Sequence, residues 1–156
     1  MSKYQRRGVT AVVLVLVISD PGSIVAAEHG IDCLARTIYF EARSEPVLGQ
    51  IAVAQVVINR MRDRRWPNTV CGVVKQGGAR RNQCQFAWYC DGKPDVPRNE
   101  RSWLLAQGIA RIVQRGVLTH DQTDNATCYH AVYVQVQWAH TSRKTRQIGR
   151  HVFYVC

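Results

Sequence analysis

Residues 51–58, with the sequence IAVAQVVI, form a run that is apolar on nearly every side. Pro46 comes shortly before this run and suits the first turn of a helix, because its fixed backbone angle is already helical. The pattern predicts a helix from about Val47 to Arg62. A helix that is apolar all round has to be buried, so this one is predicted to be the centre around which the rest of the chain packs.

The chain length limits what can surround that helix. With 156 residues, of which 46% are hydrophobic and 21% charged, the chain has the size and composition of one globular domain. A further helix is predicted from Asn99 to Arg115, with Asn99 as its N-cap and Gly116 as its stop. This helix is predicted to have a structural role.

The first 27 residues differ in character from the rest. MSKYQRRG is basic, VTAVVLVLVI is a short apolar run, and small residues surround Ala27, which is the layout of a secretory signal. An uncleaved anchor is the alternative, but the apolar run is well short of the roughly 20 residues that span a bilayer. Residues 1–27 are therefore predicted to be an export signal, and residues 28–156 the mature domain, in the periplasm or outside the cell.

The cysteines agree with export. All six follow the predicted cleavage point, and an even number in a small exported domain favours disulfide bonds. A metal cluster is the alternative, yet the sequence has no CxxC pair. The pairing stays open, because six cysteines allow roughly fifteen connectivities. The residues concerned are Cys33, Cys71, Cys84, Cys90, Cys128 and Cys156.

The charge balance is strongly basic, at +10 for the whole chain. Such a surface attracts polyanions, and an exported protein meets anionic lipids and envelope polymers far more often than nucleic acid. Much of the charge lies in RMRDRR, residues 60–65, and TSRKTR, residues 141–146. A solvated face with no partner is an equally good interpretation of these clusters.

Glu41 belongs to a segment whose apolar residues recur with the spacing of an amphipathic helix. Counted at 100° per residue, Glu41 falls at the edge of an apolar arc of about 100°. A carboxylic acid sheltered by apolar neighbours has a raised pKa and can hold a proton near neutral pH, as a general acid must. A salt-bridged or surface glutamate is the alternative. The arc consists of Ile31, Leu34, Ala35, Ile38 and Ala42.

Glu45, four residues later, has a different setting. Pro46 disfavours helical geometry at the residue before it, so Glu45 is predicted to lie at the start of the second helix. There a carboxylate can accept from unpaired backbone N–H groups and complement the helix dipole. Glu45 is therefore interpreted as a structural or secondary carboxylate.

Five separated motifs follow one another along the chain: LARTIYFEARSEPVLGQIAVAQVVINR, RWPNTVCGVVKQ, CQFAWYCDG, CYHAVYVQVQWAH and IGRHVFY. In this order they resemble the bacterial cell wall hydrolases that include the SleB-type spore cortex-lytic enzymes. The resemblance extends from about Cys33 to Tyr154.

The resemblance implies a lysozyme-like, lytic-transglycosylase-like domain that acts on peptidoglycan glycan strands. It also implies that Glu41, in the EAR stretch, is the essential acid. Two positions depart from the family pattern. Val136 replaces a proline that is common there, and Arg150 replaces a common asparagine.

The chemistry agrees with what the resemblance implies. Glycosidic cleavage needs an acid to protonate the leaving oxygen, and usually a second carboxylate. A lytic transglycosylase can dispense with the second, because the C6 hydroxyl of the muramic acid can capture C1; this step, too, comes from the resemblance. If water is the acceptor instead, Glu45, Asp91 or Asp95 could assist it.

Residues 77–97 are predicted to form a long loop, held by a disulfide, that contributes a wall of the cleft. Phe86 and Trp88 could stack on sugar rings, and the Gln85 amide could bind hydroxyl or acetamido groups. Packing of both aromatic residues into the core is the alternative.

After Gly116 the pattern alternates. Strands are predicted near Cys128 to Val134 and in the terminal HVFYVC, which together with the helices gives an α+β domain, mainly helical with a small antiparallel sheet. Tyr129, His130 and His151 would then face the cleft and orient the substrate.

Two other functions stay open at this point. A zinc-dependent wall amidase could use His130, His140 and His151, although their spacing matches no known metal motif. A non-catalytic basic module could bind wall polymers, with Glu41 dispensable. The favoured interpretation is an enzyme with no metal or cofactor, a monomer whose partner is the glycan strand and which contacts a membrane only through its export signal.

Overall fold

The structure is a computed structural model and describes residues 21–78, 81 and 83–156. Within that part of the chain, helices come first and a small sheet follows. The helices are α1 Pro21–Ala42, α2 Val47–Arg62, α3 Val70–Val74 and α4 Glu100–Gln114, and the strands are β1 Cys128–Ala131, β2 Arg143–Ile148 and β3 His151–Val155. Short 3₁₀ helices cover Ala87–Cys90 and Gln137–His140.

Helix α2 is the centre of the fold, as predicted. It begins and ends at the predicted residues, and its middle turns are fully buried. Helices α1, α3 and α4 all pack against it. The all-round apolar pattern therefore set both its length and its position, because every face of α2 meets another element.

Helix α4 confirms the second predicted helix to within a residue. The Asn99 side chain accepts a hydrogen bond from the backbone N–H of Ser102 at 2.9 Å, which satisfies one of the unpaired donors at the helix start. Gly116 follows the end of the helix with a φ of 66°, the left-handed conformation that stops a helix.

Helix α1 runs across the predicted cleavage point near Ala27. Residues 1–20, which hold most of the predicted export signal, lie outside the described residues, so the signal stays a prediction. The Ala27 carbonyl accepts from Gln114 Nε2 at 3.1 Å. Among the described residues, every helix is too short or too polar to cross a membrane.

The sheet has the order β1-β3-β2, and both pairs are antiparallel. An α+β fold with a small antiparallel sheet is therefore confirmed. Strand β1 ends at Ala131 rather than Val134, because its partner β3 begins opposite, at His151, and offers no further residues to pair with. Strand β2 was not predicted, since its first four residues belong to the basic TSRKTR cluster and most of its side chains are exposed.

The predicted disulfides are present. Cys33–Cys71 joins α1 to α3, Cys84–Cys90 closes the long loop, and Cys128–Cys156 joins β1 to the chain end. The prediction of a disulfide-held loop is confirmed by the second bond. Together the three bonds fix the helices, the loop and the sheet that surround Glu41.

Candidate active site

The Glu41 carboxyl lies at the last turn of α1, half-buried against the sheet. Its Oε2 accepts a hydrogen bond from the Tyr129 hydroxyl at 3.1 Å. Burial raises the pKa of Glu41, and the opposing effects of the Tyr129 hydrogen bond and the Arg60 charge do not cancel that rise. The carboxyl therefore holds its proton to a higher pH than an exposed glutamate.

Tyr129 is the fixed partner of this acid. It comes from the middle of β1, and its pKa lies well above the ordinary value because the side chain is buried and close to the Glu41 charge. The hydroxyl consequently stays protonated and can donate to Glu41 throughout the physiological pH range.

Arg60, from α2, brings a buried cation to the same place. Its Nε donates to the Thr127 carbonyl at 2.6 Å, and its guanidinium lies 4.4 Å from the Trp66 ring centroid and 5.5 Å from that of Phe86. Burial lowers the pKa of Arg60 to about 10, against the effects of Tyr129 and Glu41, so the side chain is still charged at neutral pH. Its buried Nη1 has no hydrogen-bond partner among the described residues.

Sequence reasoning missed Arg60, because it was grouped with the solvated RMRDRR cluster. A signal was available. Arg60 lies three and four residues after Val57 and Val56, both fully buried, and so shares their face of α2. Its exposed fraction is 5%, which separates it from the other arginines of the cluster.

A cleft of about 290 Å³ opens beside Glu41, close to the roughly 300 Å³ at which ligand sites begin. It brings together five of the predicted site residues and adds others from α2 and the sheet. Gln85 presents an exposed side chain, whereas Phe86 is 2% exposed and belongs to the core beneath. The lining consists of Glu41, Arg60, Gln85, Phe86, Cys128, Tyr129, His130, Val136 and Trp138.

His130 forms a rigid part of the cleft wall. Its Nδ1 is 2.9 Å from the Ala131 carbonyl and its Nε2 is 3.1 Å from the Tyr154 hydroxyl. A carbonyl can only accept, so Nδ1 donates to it and the ring is held between the Ala131 carbonyl and the Tyr154 hydroxyl. The Trp138 ring meets the imidazole edge-on, with a centroid distance of 5.7 Å, and offers an exposed aromatic face that the sequence did not single out.

Two predicted contact residues lie outside the cleft lining. His151 is buried behind Tyr129, with ring centroids 5.2 Å apart, and burial lowers its pKa, which keeps the ring neutral. Trp88 stacks on Phe40 with a centroid distance of 5.0 Å, on the other side of the loop. Neither residue lines the cleft, and each ring packs against another aromatic residue, which for Trp88 agrees with the alternative of packing into the core.

Glu45 does not cap α2, contrary to expectation. Its Oε2 accepts from the Arg150 backbone N–H and its Oε1 from Arg150 Nε, both at 2.8 Å. Burial pushes the pKa of Glu45 up, but these hydrogen bonds outweigh it and the pKa lies below the ordinary value. Gly149, with a φ of 57°, passes so close that a Cβ there would collide with Glu45 Oε2.

The other acids named from the sequence are also elsewhere. Asp91 accepts from the Lys93 backbone N–H at 2.8 Å, and Asp95 lines a separate pocket with Trp88. Glu41 is thus the one acid among the described residues that line the cleft.

The three histidines of the zinc alternative do not form a ligand group within the part of the chain that the structure describes. His140 is exposed on the 3₁₀ helix before β2. The one grouping with suitable spacing there is His29, Cys33 and Cys71, and its two cysteines are joined in a disulfide.

A mainly helical domain, a small sheet and a single acid at the edge of the core together define the lysozyme-like class. The chain belongs to the cell wall hydrolase family, whose model matches residues 44–154. The match begins three residues after Glu41. The predicted family is therefore confirmed.

Named relatives and solved structures agree. Spore cortex-lytic enzymes from Bacillus cereus and Oceanobacillus iheyensis are 31% and 32% identical to the chain, over 81% of it in each case. The catalytic domain of the germination-specific lytic transglycosylase SleB from Bacillus anthracis matches with a TM-score of 0.61 and 30% identity, over 81% of this chain and 94% of that one. The catalytic domain of the Bacillus cereus SleB protein matches equally well, over 90% of its length.

The chain spans less than half the length of the curated relatives, 44% of the Bacillus cereus enzyme and 42% of the Oceanobacillus iheyensis enzyme. The solved SleB catalytic domains, in contrast, are covered over 94% and 90% of their length, so the chain corresponds in extent to such a domain. The lysozyme-like, mainly helical fold predicted from the sequence is confirmed by that correspondence.

Proposed function

We propose that this chain is an exported enzyme that cleaves peptidoglycan glycan strands between N-acetylmuramic acid and N-acetylglucosamine, with Glu41 as the general acid, as a lytic transglycosylase. The observation that carries the proposal is the half-buried Glu41 carboxyl in the cleft, held by the Tyr129 hydroxyl and with a raised pKa. A carboxylic acid that keeps its proton near neutral pH can protonate a glycosidic oxygen.

In the first step Glu41 gives its proton to the bridging oxygen, and the bond from that oxygen to C1 of the muramic acid breaks. The Glu41 carboxylate then takes the proton of the C6 hydroxyl as that oxygen bonds to C1. The products are a 1,6-anhydro sugar and a free sugar hydroxyl, and Glu41 is protonated again. No water is consumed.

The surroundings of Glu41 suit both halves of this cycle. Burial favours the protonated acid before bond cleavage, while the Tyr129 hydroxyl and the buried Arg60 charge stabilise the carboxylate that exists between the two steps. Tyr129 donates directly, whereas Arg60 acts as a positioning and electrostatic residue.

The one-acid scheme is favoured because, among the described residues, Glu41 is the one acid that lines the cleft. Hydrolytic glycosidases place two carboxyl groups about 5 to 9.5 Å apart across the scissile bond. Here Glu45 is bound to Arg150, and Asp91 and Asp95 lie outside the cleft lining. An internal nucleophile, the C6 hydroxyl, removes the need for a second acid.

We infer substrate contacts for the residues that line the cleft. The exposed Gln85 amide suits a hydroxyl or acetamido group, and the exposed Trp138 ring suits the apolar face of a sugar. Three disulfides within the described residues support an oxidising compartment, the periplasm or the cell exterior.

Mass spectrometry of peptidoglycan digested by the purified, disulfide-bonded protein tests the proposal. Glu41→Gln keeps the shape and the hydrogen-bond acceptor for Tyr129 but removes the acid. We expect anhydro-muropeptides from the wild type and none from this variant. Glu28→Gln, an exposed change on the same helix, serves as the matched control and should behave as the wild type.

Each other outcome has a definite meaning. Reducing-end products would show that water is the acceptor and would require a second carboxylate. Products from Glu41→Gln at the wild-type rate would exclude Glu41 as the acid. A folded wild-type protein that binds the polymer but yields no products would support a non-catalytic binding module.

A further inference from the structure

A second groove, of about 420 Å³, lies between the end of α1 and residues 93–98. Its rim carries Arg43, Lys93 and Arg98, all exposed. Its floor is apolar, and Val96 there is 62% exposed. This groove shares no lining residue with the Glu41 cleft.

Tyr39 contacts two of the three basic residues of the groove. Its hydroxyl accepts from the backbone N–H groups of Arg98 and Asn99, each at 3.0 Å, which attaches the end of the long loop to α1. The Arg43 guanidinium lies 5.0 Å from the centroid of the Tyr39 ring. Tyr39, which is 4% exposed, thus places the backbone of Arg98 and the side chain of Arg43 at the same groove.

The charges of the groove are not neutralised by the chain itself. No acid lines it, and within the described residues neither Arg43 nor Arg98 has an ion-pair partner. Lys93 has only Asp91, at 3.8 Å. Guanidinium groups beside apolar surface suit a ligand with several carboxylates on a short, partly apolar chain, such as an acidic peptide.

The groove is adjacent to the cleft along the chain. Phe40, in its floor, directly precedes Glu41 and stacks on Trp88, two residues after Phe86 of the cleft. The loop around residues 86–96 therefore divides the two sites. A polymer whose sugar chain occupies the cleft could reach the groove with a side branch.

We propose that the groove binds the carboxylates of the peptide stem that branches from the muramic acid of peptidoglycan. This inference rests on the proposed function, since the branch is present only if the cleft holds the glycan strand. It makes the enzyme selective for strands that carry peptides, because binding energy from the stem is added to that from the sugars.

The test compares two substrates, peptide-bearing strands and the same strands stripped of peptides by an amidase. The double variant Arg43→Gln, Arg98→Gln removes both arginine charges. We expect the ratio of kcat/KM for peptide-bearing over stripped strands to fall about 3- to 10-fold, the size expected from two exposed charge pairs. The matched control, Arg111→Gln with Arg115→Gln, changes two exposed arginines at the end of α4 and should keep the wild-type ratio.

A binding measurement separates this inference from the proposed reaction. Calorimetry with the Glu41→Gln protein should detect a free acidic stem peptide, and binding should be lost when Arg43→Gln and Arg98→Gln are added to Glu41→Gln or when the peptide carboxylates are amidated. The inference would be overturned if the ratio of kcat/KM for peptide-bearing over stripped strands were the same in both double variants. Peptide binding that survives amidation of the carboxylates would overturn it as well. Tighter competition by inorganic phosphate than by the peptide would assign the groove to a phosphate-containing polymer and would overturn it too.

If the wild type cleaves neither substrate, the proposed function fails while the binding measurement still decides on the groove. If it cleaves both equally well, the proposed function stands and the groove inference fails.

Discussion

Glu41 and Glu45 are the same type of residue, four positions apart, and both are sheltered from solvent, yet their pKa values shift in opposite directions. Glu41 faces a neutral hydroxyl donor, with the nearest cation acting only at a distance. The Glu45 carboxylate accepts hydrogen bonds from the backbone N–H and the guanidinium of Arg150.

The difference shows that burial alone does not define a general acid. Loss of solvent raises the pKa of both carboxyls, and the hydrogen bonds to the charged form decide which one remains protonated. The Glu41 carboxyl can keep a proton, whereas the Glu45 carboxylate links the α1–α2 turn to the β2–β3 turn through Arg150. Substitutions at either carboxyl, or at the residue hydrogen-bonded to it, should therefore have different effects.

Glu41→Gln is expected to have the largest effect. Removing a general acid should lower kcat by about 10²- to 10⁴-fold, measured as release of muropeptides from peptidoglycan. A loss below 10-fold would mean that the reacting proton comes from another group.

Glu41→Gln should also change the pH dependence of the free energy of unfolding. Because the folded pKa of Glu41 is raised, its protonated form contributes stability that is complete below the unfolded pKa and is lost as the pH rises through the folded pKa. Urea unfolding from pH 4 to 8 should therefore show a decline in the wild type that is absent in Glu41→Gln. An identical decline in both proteins would contradict the raised pKa.

Glu45→Gln should mainly affect stability. The change leaves Arg150 with a neutral acceptor in place of a buried carboxylate, and hydrogen bonds to charged groups contribute about 1.5 to 3 kcal/mol. We expect a loss near the lower end of that range, about 1 to 2 kcal/mol in urea unfolding at pH 7, because the Arg150 side chain is 57% exposed. Activity per folded molecule should change far less than in Glu41→Gln.

The pH dependence of this effect has the opposite sign to that of Glu41. The folded pKa of Glu45 is lowered, so its contribution is present above the unfolded pKa and is lost as the pH falls through the folded pKa. The difference in the free energy of unfolding between the wild type and Glu45→Gln should therefore disappear at low pH. A gap that widened below pH 4 would contradict this assignment.

Tyr129→Phe removes the hydroxyl that donates to Glu41 and should increase the difference between the pKa values of Glu41 and Glu45. The Tyr129 hydrogen bond lowers the pKa of Glu41, so its removal raises that pKa further. The alkaline limb of the pH dependence of kcat should move to higher pH, while kcat itself falls several-fold because the intermediate carboxylate loses a donor. An unchanged limb would show that Tyr129 does not act on the acid.

Arg150→Asn should have the smallest effect. It keeps the backbone N–H to Glu45 but loses the Nε bond to Glu45 and the exposed Nη2 bond to the Ser44 hydroxyl at 2.8 Å, for an expected cost of about 0.5 to 1.5 kcal/mol in thermal or urea unfolding and no change in kcat. Arg115→Asn, an exposed change at the end of α4, is the control. A loss larger than that of Glu45→Gln would contradict the assignment of Glu45 as the main partner of the Arg150 side chain.

The sequence predicted the helices better than the sheet. Helix α2 was found because its apolar residues leave no polar face, and α4 because Asn99 and Gly116 mark its ends. Strand β2 could not be found, since an exposed edge strand needs no apolar alternation and its basic residues matched a solvated cluster. The end of β1 depended on where its partner begins, which is a property of the pairing and not of β1.

For the site, helical periodicity placed Glu41 at the edge of the core, as the structure has it. It could not reveal that Glu45 pairs with Arg150, because 105 residues separate them. The same periodicity does place Arg60 on the buried face of α2, but it could not reveal that Arg60 lies beside the acid, because its contacts with Trp66 and the Thr127 carbonyl come from other segments. Contacts between distant segments were the missing information.

The close approach of Gly149 to Glu45 also restricts how this family of sequences can diverge. A Cβ at position 149 would displace the Glu45 carboxylate from the Arg150 backbone N–H, besides requiring a side chain to adopt a φ of 57°. Sequences that replace the glycine should therefore also tend to replace the glutamate, so that positions 45 and 149 covary.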